Sequence, residues 1–432
     1  MPATPQEVTS SEGLVRAIGR WSLVALTINS ILGSGIFGLP SKIATALGKL
    51  SPLAVLLAGV AMAVIIACYA EVASQFSQTG GTYIYCRAAF GRFTGLQVGW
   101  MMMLTRITAC AANANLLVIY LGELWPQATQ PVPRLAIVTV LLGILLLVNY
   151  RGVRDGTLVS NAFVAAKLLP LAIVILAGGY YLATHTAVTL PAPHTDFVGW
   201  RNSLLLLFFA YGGYEAAMNP MGEAQNPKRD APFALFMALA IITIIYTLIQ
   251  WVVIGVLPAS LQTERPLAEA ARILLGGGGA SLVALAAMVS VYGYLGANFL
   301  TGPRVTFAFA EQGDFPHWFA AVHRRFKTPH VSIVIFAALC WILALAGSFT
   351  WNVTLSAVSR LFYYGAVCAA LPVLRREQPG AAWLRLPAGL GLALLGVLIC
   401  LVLLTGADFS KSLVLLATVA IALVNYLIVR RA

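Results

Sequence analysis

Apolar runs long enough to cross a bilayer fill most of this chain, and short polar connections rich in arginine separate them. A spanning helix takes about 20 apolar residues. Twelve candidate runs follow one another, centred near Ile31, Ala63, Ile107, Leu142, Leu169, Phe208, Ile244, Val289, Ala338, Ala366, Gly396 and Val419. The stretches around Met103 and Phe307 predict helices longer than one span. No long polar linker interrupts the series, which predicts a single all-α polytopic membrane domain over residues 1–432.

Glycine breaks two of these runs at corresponding places: Gly33-Ser34-Gly35 ahead of Pro40, and Gly212-Gly213 ahead of Pro220. In hydrocarbon a spanning backbone must satisfy its own N–H and C=O groups, so unwound backbone persists only beside protein, water or ligand. Small residues also serve close helix packing, but a matched pair of interruptions points to a binding site of the kind secondary transporters carry. Half-helices ending at mid-depth present free amides on one side and free carbonyls on the other, an arrangement suited to a zwitterion.

Composition narrows the class. With 60% hydrophobic and 10% charged residues, the chain cannot build a water-soluble fold with a polar shell. Its net charge of +12 would suit a nucleic-acid partner, but the basic residues fall mainly in alternate connections. With the N-terminus placed inside, seventeen lie on that side, Arg87, Arg92, Arg304 and Arg375 among them, against seven outside. That asymmetry is the positive-inside bias, and an even number of spans then puts both termini in the cytoplasm. No nucleic-acid partner is expected; membrane lipid is.

About twenty polar or mixed residues precede the first run, which carries its own break, so it reads as a retained helix and not as a cleaved signal. Cys68, Cys110, Cys340, Cys368 and Cys400 lie in predicted spans and Cys86 on a cytoplasmic segment, which leaves no external pair for a disulfide. The five histidines fall in predicted loops, so the pattern suggests no buried metal cluster, and no cofactor is expected. The external stretches 184–198 and 258–279 are candidate lids. Within the second, Gly276 to Gly279 reads as a cap or turn, since no Gly-Lys-Ser/Thr follows.

The expected chemistry starts from the backbone. The amides of Ser34, Gly35 and Ile36, with the Ser34 hydroxyl, can receive a carboxylate. Carbonyls around Phe209, Ala210 and Gly212, with that of Ile31, can receive an ammonium. Intramembrane charges come next, each costing at least about 2.5 kcal/mol at mid-depth unless it faces protein or water. Lys167 can bridge the carbonyls of the first break to the eighth helix through Ser290, standing where a bound cation would sit. Glu215 directly follows the second break and can hold a proton, a cationic substrate group or a structural arginine. Arg106 and Arg360 are both candidates to neutralise it. Among Phe209, Tyr211, Tyr214, Tyr292 and Tyr294, Phe209 abuts the break. Glu71 and Glu223 read as caps or loop partners.

Four blocks resemble the amino acid–polyamine–organocation superfamily of permeases: Gly33-Ser34-Gly35-Ile36-Phe37, the stretch from Tyr69-Ala70-Glu71 to Ala89-Phe90-Gly91, Phe209-Ala210-Tyr211-Gly212-Gly213, and Gly302-Pro303-Arg304 to Pro316. The resemblance implies twelve transmembrane helices and a five-plus-five inverted repeat (LeuT-like) with helices 1 and 6 unwound. The repeats would cover residues 20–182 and 198–374, with helices 11 and 12 over 387–429. Phe-Ala-Tyr-Gly-Gly is similar to L-type amino acid transporters, whereas glutamate at 215 is closer to basic amino acid and polyamine antiporters. Lys167, in Ala165-Ala166-Lys167-Leu168-Leu169-Pro170, matches the lysine that replaces sodium in sodium-independent members.

The expectation is therefore alternating-access transport of L-amino acids, neutral ones favoured, by exchange or proton coupling, in a bacterial inner membrane. A cationic amino acid or polyamine antiporter is the runner-up. An intramembrane enzyme and a transport-fold sensor without flux are the readings from other classes.

Overall fold

The computed structural model describes residues 18–76, 81–152, 157–186, 196–218, 224–258 and 263–431. Among them every regular element is helical apart from one isolated bridge between Ile18 and Ala224. Glu223 and Pro220 lie outside the described residues, as do most of the first candidate lid and part of the second.

The helix α1 (Arg20–Ile31) stops at the first glycine pair, and the chain resumes as α2 (Gly35–Gly38) and α3 (Pro40–Leu47). After α4 (Ser51–Ala73) come α5 (Thr82–Leu121), α6 (Pro131–Arg151) and α7 (Thr157–Thr184). The second broken unit is α8 (Phe197–Tyr211) followed by α9 (Tyr214–Ala217). Then follow α10 (Pro227–Val256), α11 (Pro266–Glu311), α12 (His330–Ala346), α13 (Phe349–Glu377), α14 (Gly389–Leu404) and α15 (Phe409–Arg431).

All twelve predicted centres fall within helices. Among the described residues, eight helical stretches are long and apolar enough to cross a membrane by themselves, and α8, α12 and α14 are shorter apolar helices. For α1, α8 and α12 the shortfall has a local cause. α1 and α8 are cut to 12 and 15 residues by the glycine breaks, while Pro329 and Gly347 bound α12. The two long helices are not straight rods. α5 changes direction at Gly91 (φ 82°) and α11 at Gly276 (φ 76°), so each is two helices meeting at a glycine in a conformation that side chains disfavour. Gly276 thus makes a kink, in place of the expected cap or turn.

Packing sorts the helices into two groups. α1, α3, α4, α8 and α10 pack on one another and carry both breaks; α5, α6, α11 and α12 form the other. α7 lies against α1, α10 and α11, and α13 against α4, α5 and α8, so these two helices touch both groups.

Ion pairs fix the helix ends. Glu71 is fully buried; its carboxylate takes Nε and Nη2 of Arg375 at 2.5 and 2.6 Å, and the Leu386 amide at 2.9 Å. This pins the end of α13 and the following loop to α4. Asp314 binds Arg87 and Arg92 across α5 and also accepts from Tyr83. All six cysteines are buried and free.

Candidate functional site

The two breaks meet. A Cβ on Gly35 would lie 2.7 Å from the Cα of Ala210, so α2 and the end of α8 approach to a distance that only glycine permits. Gly213 adopts φ +116°, and a Cβ there would collide with the Ser30 carbonyl of α1. Hydrogen bonds from neighbours hold the broken ends. Tyr120 donates to the Phe37 carbonyl at 2.7 Å, Tyr211 to that of Val55 at 3.0 Å, and Tyr246 to that of Ala210 at 3.1 Å. The Phe37 and Ala210 carbonyls, at the broken ends, thus find partners inside the protein, as a membrane interior requires, and Tyr211 anchors the end of α8 to α4.

Between the breaks lies a tight cavity of about 10 Å³, room for about one water molecule. Ile31, Gly33, Ser34 and Gly35 line it from the first break, Phe209 and Gly212 from the second, and Asn113, Tyr294 and Arg360 from α5, α11 and α13. The Ser34 amide donates to Oδ1 of Asn113 at 3.1 Å. The Ser34 hydroxyl is fully buried with no hydrogen-bond partner among the described residues. On the opposite side, Nη1 of Arg360 donates to the Phe209 carbonyl at 3.3 Å. A Cβ on Gly212 would fall inside the guanidinium of Arg360, so the glycine makes room for the arginine.

Glu215 sits just behind. Its Oε1 lies 3.4 Å from Nε of Arg360 and accepts from Tyr363 at 2.8 Å; its Oε2 accepts from Tyr364 and from the Gly213 amide, both at 3.0 Å. The carboxylate is thus saturated by one cation and three neutral donors. Lys167, 1% exposed, reaches α1 and donates to the carbonyls of Asn29 at 3.2 Å and Leu32 at 2.9 Å. An ammonium therefore tethers the unwound end of α1, in the manner of a bound cation.

Several expectations need correction. Ser290 is fully buried, but its hydroxyl makes no hydrogen bond among the described residues; the ammonium of Lys167 is engaged on α1. Arg106 does not neutralise Glu215: its guanidinium donates to Thr301 at 3.1 Å, and among the described residues Arg360 makes the ion pair. The Ala210 carbonyl already accepts from Tyr246 and the Phe209 carbonyl from Arg360, so the ammonium cradle is not vacant. Ile36 is buried in α2 and does not line the cavity. Tyr292 is 42% exposed and Tyr211 and Tyr214 pack elsewhere, which leaves Phe209 and Tyr294 as the aromatic lining. Sequence reasoning missed Asn113, Tyr363 and Tyr364; a polar residue in the middle of an apolar span was the available signal for Asn113.

A family model described as "Amino acid permease" matches residues 18–426. The chain belongs to this family. The permease is 30% identical to an uncharacterized transporter of Mycobacterium tuberculosis, over 87% of this chain and 84% of the relative. It is 29% identical to the serine/threonine exchanger SteT of Bacillus subtilis, over 86% of each chain. A cationic amino acid transporter, the vacuolar number 4 of Arabidopsis thaliana, is 26% identical over 85% of this chain and 64% of its own length. The protein is accordingly an integral membrane amino acid transporter, and not an enzyme.

Proposed function

We propose that this permease carries L-amino acids by alternating access without sodium, neutral side chains being favoured, as an exchanger or a proton-coupled carrier. The twelve helical runs would then be twelve spans, arranged as two inverted five-helix repeats plus two, with both termini in the cytoplasm of a bacterial cell. α1 to α3 and α8 to α9 would be the two unwound helices, with the helix group carrying them moving against the other.

One observation carries the substrate reading: the Glu215 carboxylate is saturated by Arg360 and three neutral donors. A cationic side chain needs an unpaired acid, and this acid is engaged. Lys167 on the carbonyls of Asn29 and Leu32 supports sodium independence, since a fixed ammonium already supplies positive charge at the unwound end of α1. The name of the serine/threonine exchanger favours small neutral substrates and exchange, while that of the vacuolar relative keeps lysine and arginine as the competitors to test.

The test is competition in proteoliposomes. Excess unlabelled L-serine or L-alanine should suppress uptake of a labelled amino acid mixture more than L-lysine does, and replacing sodium by potassium should leave the rate unchanged. Stronger suppression by lysine would establish the cationic reading, and a sodium requirement would overturn the role given to Lys167.

A further inference from the structure

In this structure both halves of an amino acid have stand-ins already in place. The Oδ1 of Asn113 bears partial negative charge and accepts the Ser34 amide at 3.1 Å, where a carboxylate oxygen would sit. The guanidinium of Arg360 donates to the Phe209 carbonyl at 3.3 Å, where an ammonium would sit. Both side chains line the cavity between the breaks. Both come from α5 and α13, outside the helix group that carries the breaks. Each contact therefore crosses from a broken helix to a helix of different packing environment.

Two details argue that these contacts are exchangeable. The Arg360 contact with the carbonyl is long, 3.3 Å through Nη1, while the pair with Glu215 runs through Nε at 3.4 Å and is kept when Nη1 leaves the carbonyl. The buried Ser34 hydroxyl lines the same cavity with no hydrogen-bond partner among the described residues, although Asn113 is close enough to take the amide of the same residue. A buried hydroxyl without a partner marks a place where a polar ligand completes the set.

We propose that Asn113 and Arg360 are resident substitutes for the carboxylate and ammonium of the substrate, displaced when an amino acid binds. The inference rests on the amino acid reading above. While they occupy the breaks, the first break is held to α5 and α8 to α13, so the empty carrier resists reorientation and flux becomes exchange. A resident competitor also lowers the apparent affinity for substrate, by the fraction of molecules in which it is seated.

The experiment uses the full-length permease in liposomes with an equimolar radiolabelled mixture of the common L-amino acids. Uptake into liposomes loaded with the unlabelled mixture measures exchange, and uptake into empty liposomes measures net flux. The wild type should exchange faster than it takes up net. Asn113→Ala removes the substitute acceptor, and the ratio of exchange to net flux should fall about fivefold, the worth of one hydrogen bond. Asn113→Asp keeps the acceptor and adds charge, so the ratio should rise. Arg360→Lys preserves a cation for Glu215 but shortens the reach to Phe209, and should move the ratio in the same direction as Asn113→Ala; it serves if the alanine variant does not insert.

Opposite shifts for alanine and aspartate are what a merely structural role would not produce. Equal ratios in all variants would overturn the proposal, as would loss of both fluxes in Asn113→Ala, which would make Asn113 a direct substrate ligand. A wild type that exchanges while the ratio ignores these changes sinks this inference alone; a wild type that moves no amino acid in either mode sinks the amino acid reading with it.

Discussion

Glu215→Gln offers a sharp perturbation of the site, because the structure states what the carboxylate does. Arg360 is only 4% exposed and lies 3.4 Å from it, so the change strands a buried guanidinium without a counter-charge. Breaking a buried pair by removing one partner costs about 3–5 kcal/mol. The other contacts add little if the glutamine places its oxygen at Oε2, where the Gly213 amide can only donate, and its nitrogen at Oε1, where the Tyr363 hydroxyl can turn to accept. Arg360→Met should cost a similar amount by leaving the acid buried and unpaired. The double variant should lose less than the sum of the two, since no uncompensated charge remains. The assay is reversible unfolding in mixed SDS micelles, followed by tryptophan fluorescence, for all four proteins. Strictly additive losses, or a Glu215→Gln variant as stable as wild type, would refute the argument that this pair is coupled and shielded from water.

Other substitutions follow from the same geometry. Lys167→Met leaves the Asn29 and Leu32 carbonyls without the ammonium, so transport should fall at least tenfold while the protein remains in the membrane, as uptake normalised to surface amount would reveal. Gly213→Ala forces a side chain into φ +116° against the Ser30 carbonyl and should cost about 1–3 kcal/mol or more; Gly143→Ala, with open space around it in α6, should be neutral or slightly stabilising in the same unfolding assay. Arg375→Ala leaves the fully buried Glu71 with the Leu386 amide as its remaining partner, and the loop after α13 should become susceptible to protease under conditions where wild type resists.

How far the sequence reached differs between fold and site. Apolar run length put every predicted centre inside a helix because the solvent itself enforces it: a membrane admits few alternatives to a helix of about 20 residues. The breaks were legible for a related reason, since glycine pairs beside a proline cannot hide in such a run. Kinks at Gly91 and Gly276 were not, because a single left-handed residue leaves the hydrophobic pattern on both sides intact. Pairings were the least accessible. Arg106 and Arg360 look alike in sequence as partners for Glu215, and only the tertiary arrangement, which gives Arg106 to Thr301, separates them. Asn113 belongs to the run Ala111-Ala112-Asn113-Ala114-Asn115, where its meeting with Ser34, 79 residues away, has no local signature.

The central claim is that the two breaks, closed against each other by Gly35 and Ala210, hold the amino acid. The most direct measurement compares uptake of the labelled L-amino acid mixture by wild type and by a Gly35→Val variant matched for amount in the same liposomes. The account predicts saturable uptake by wild type, abolished in the variant because a side chain at 35 drives α2 away from α8. Uptake that survives Gly35→Val undiminished would contradict it.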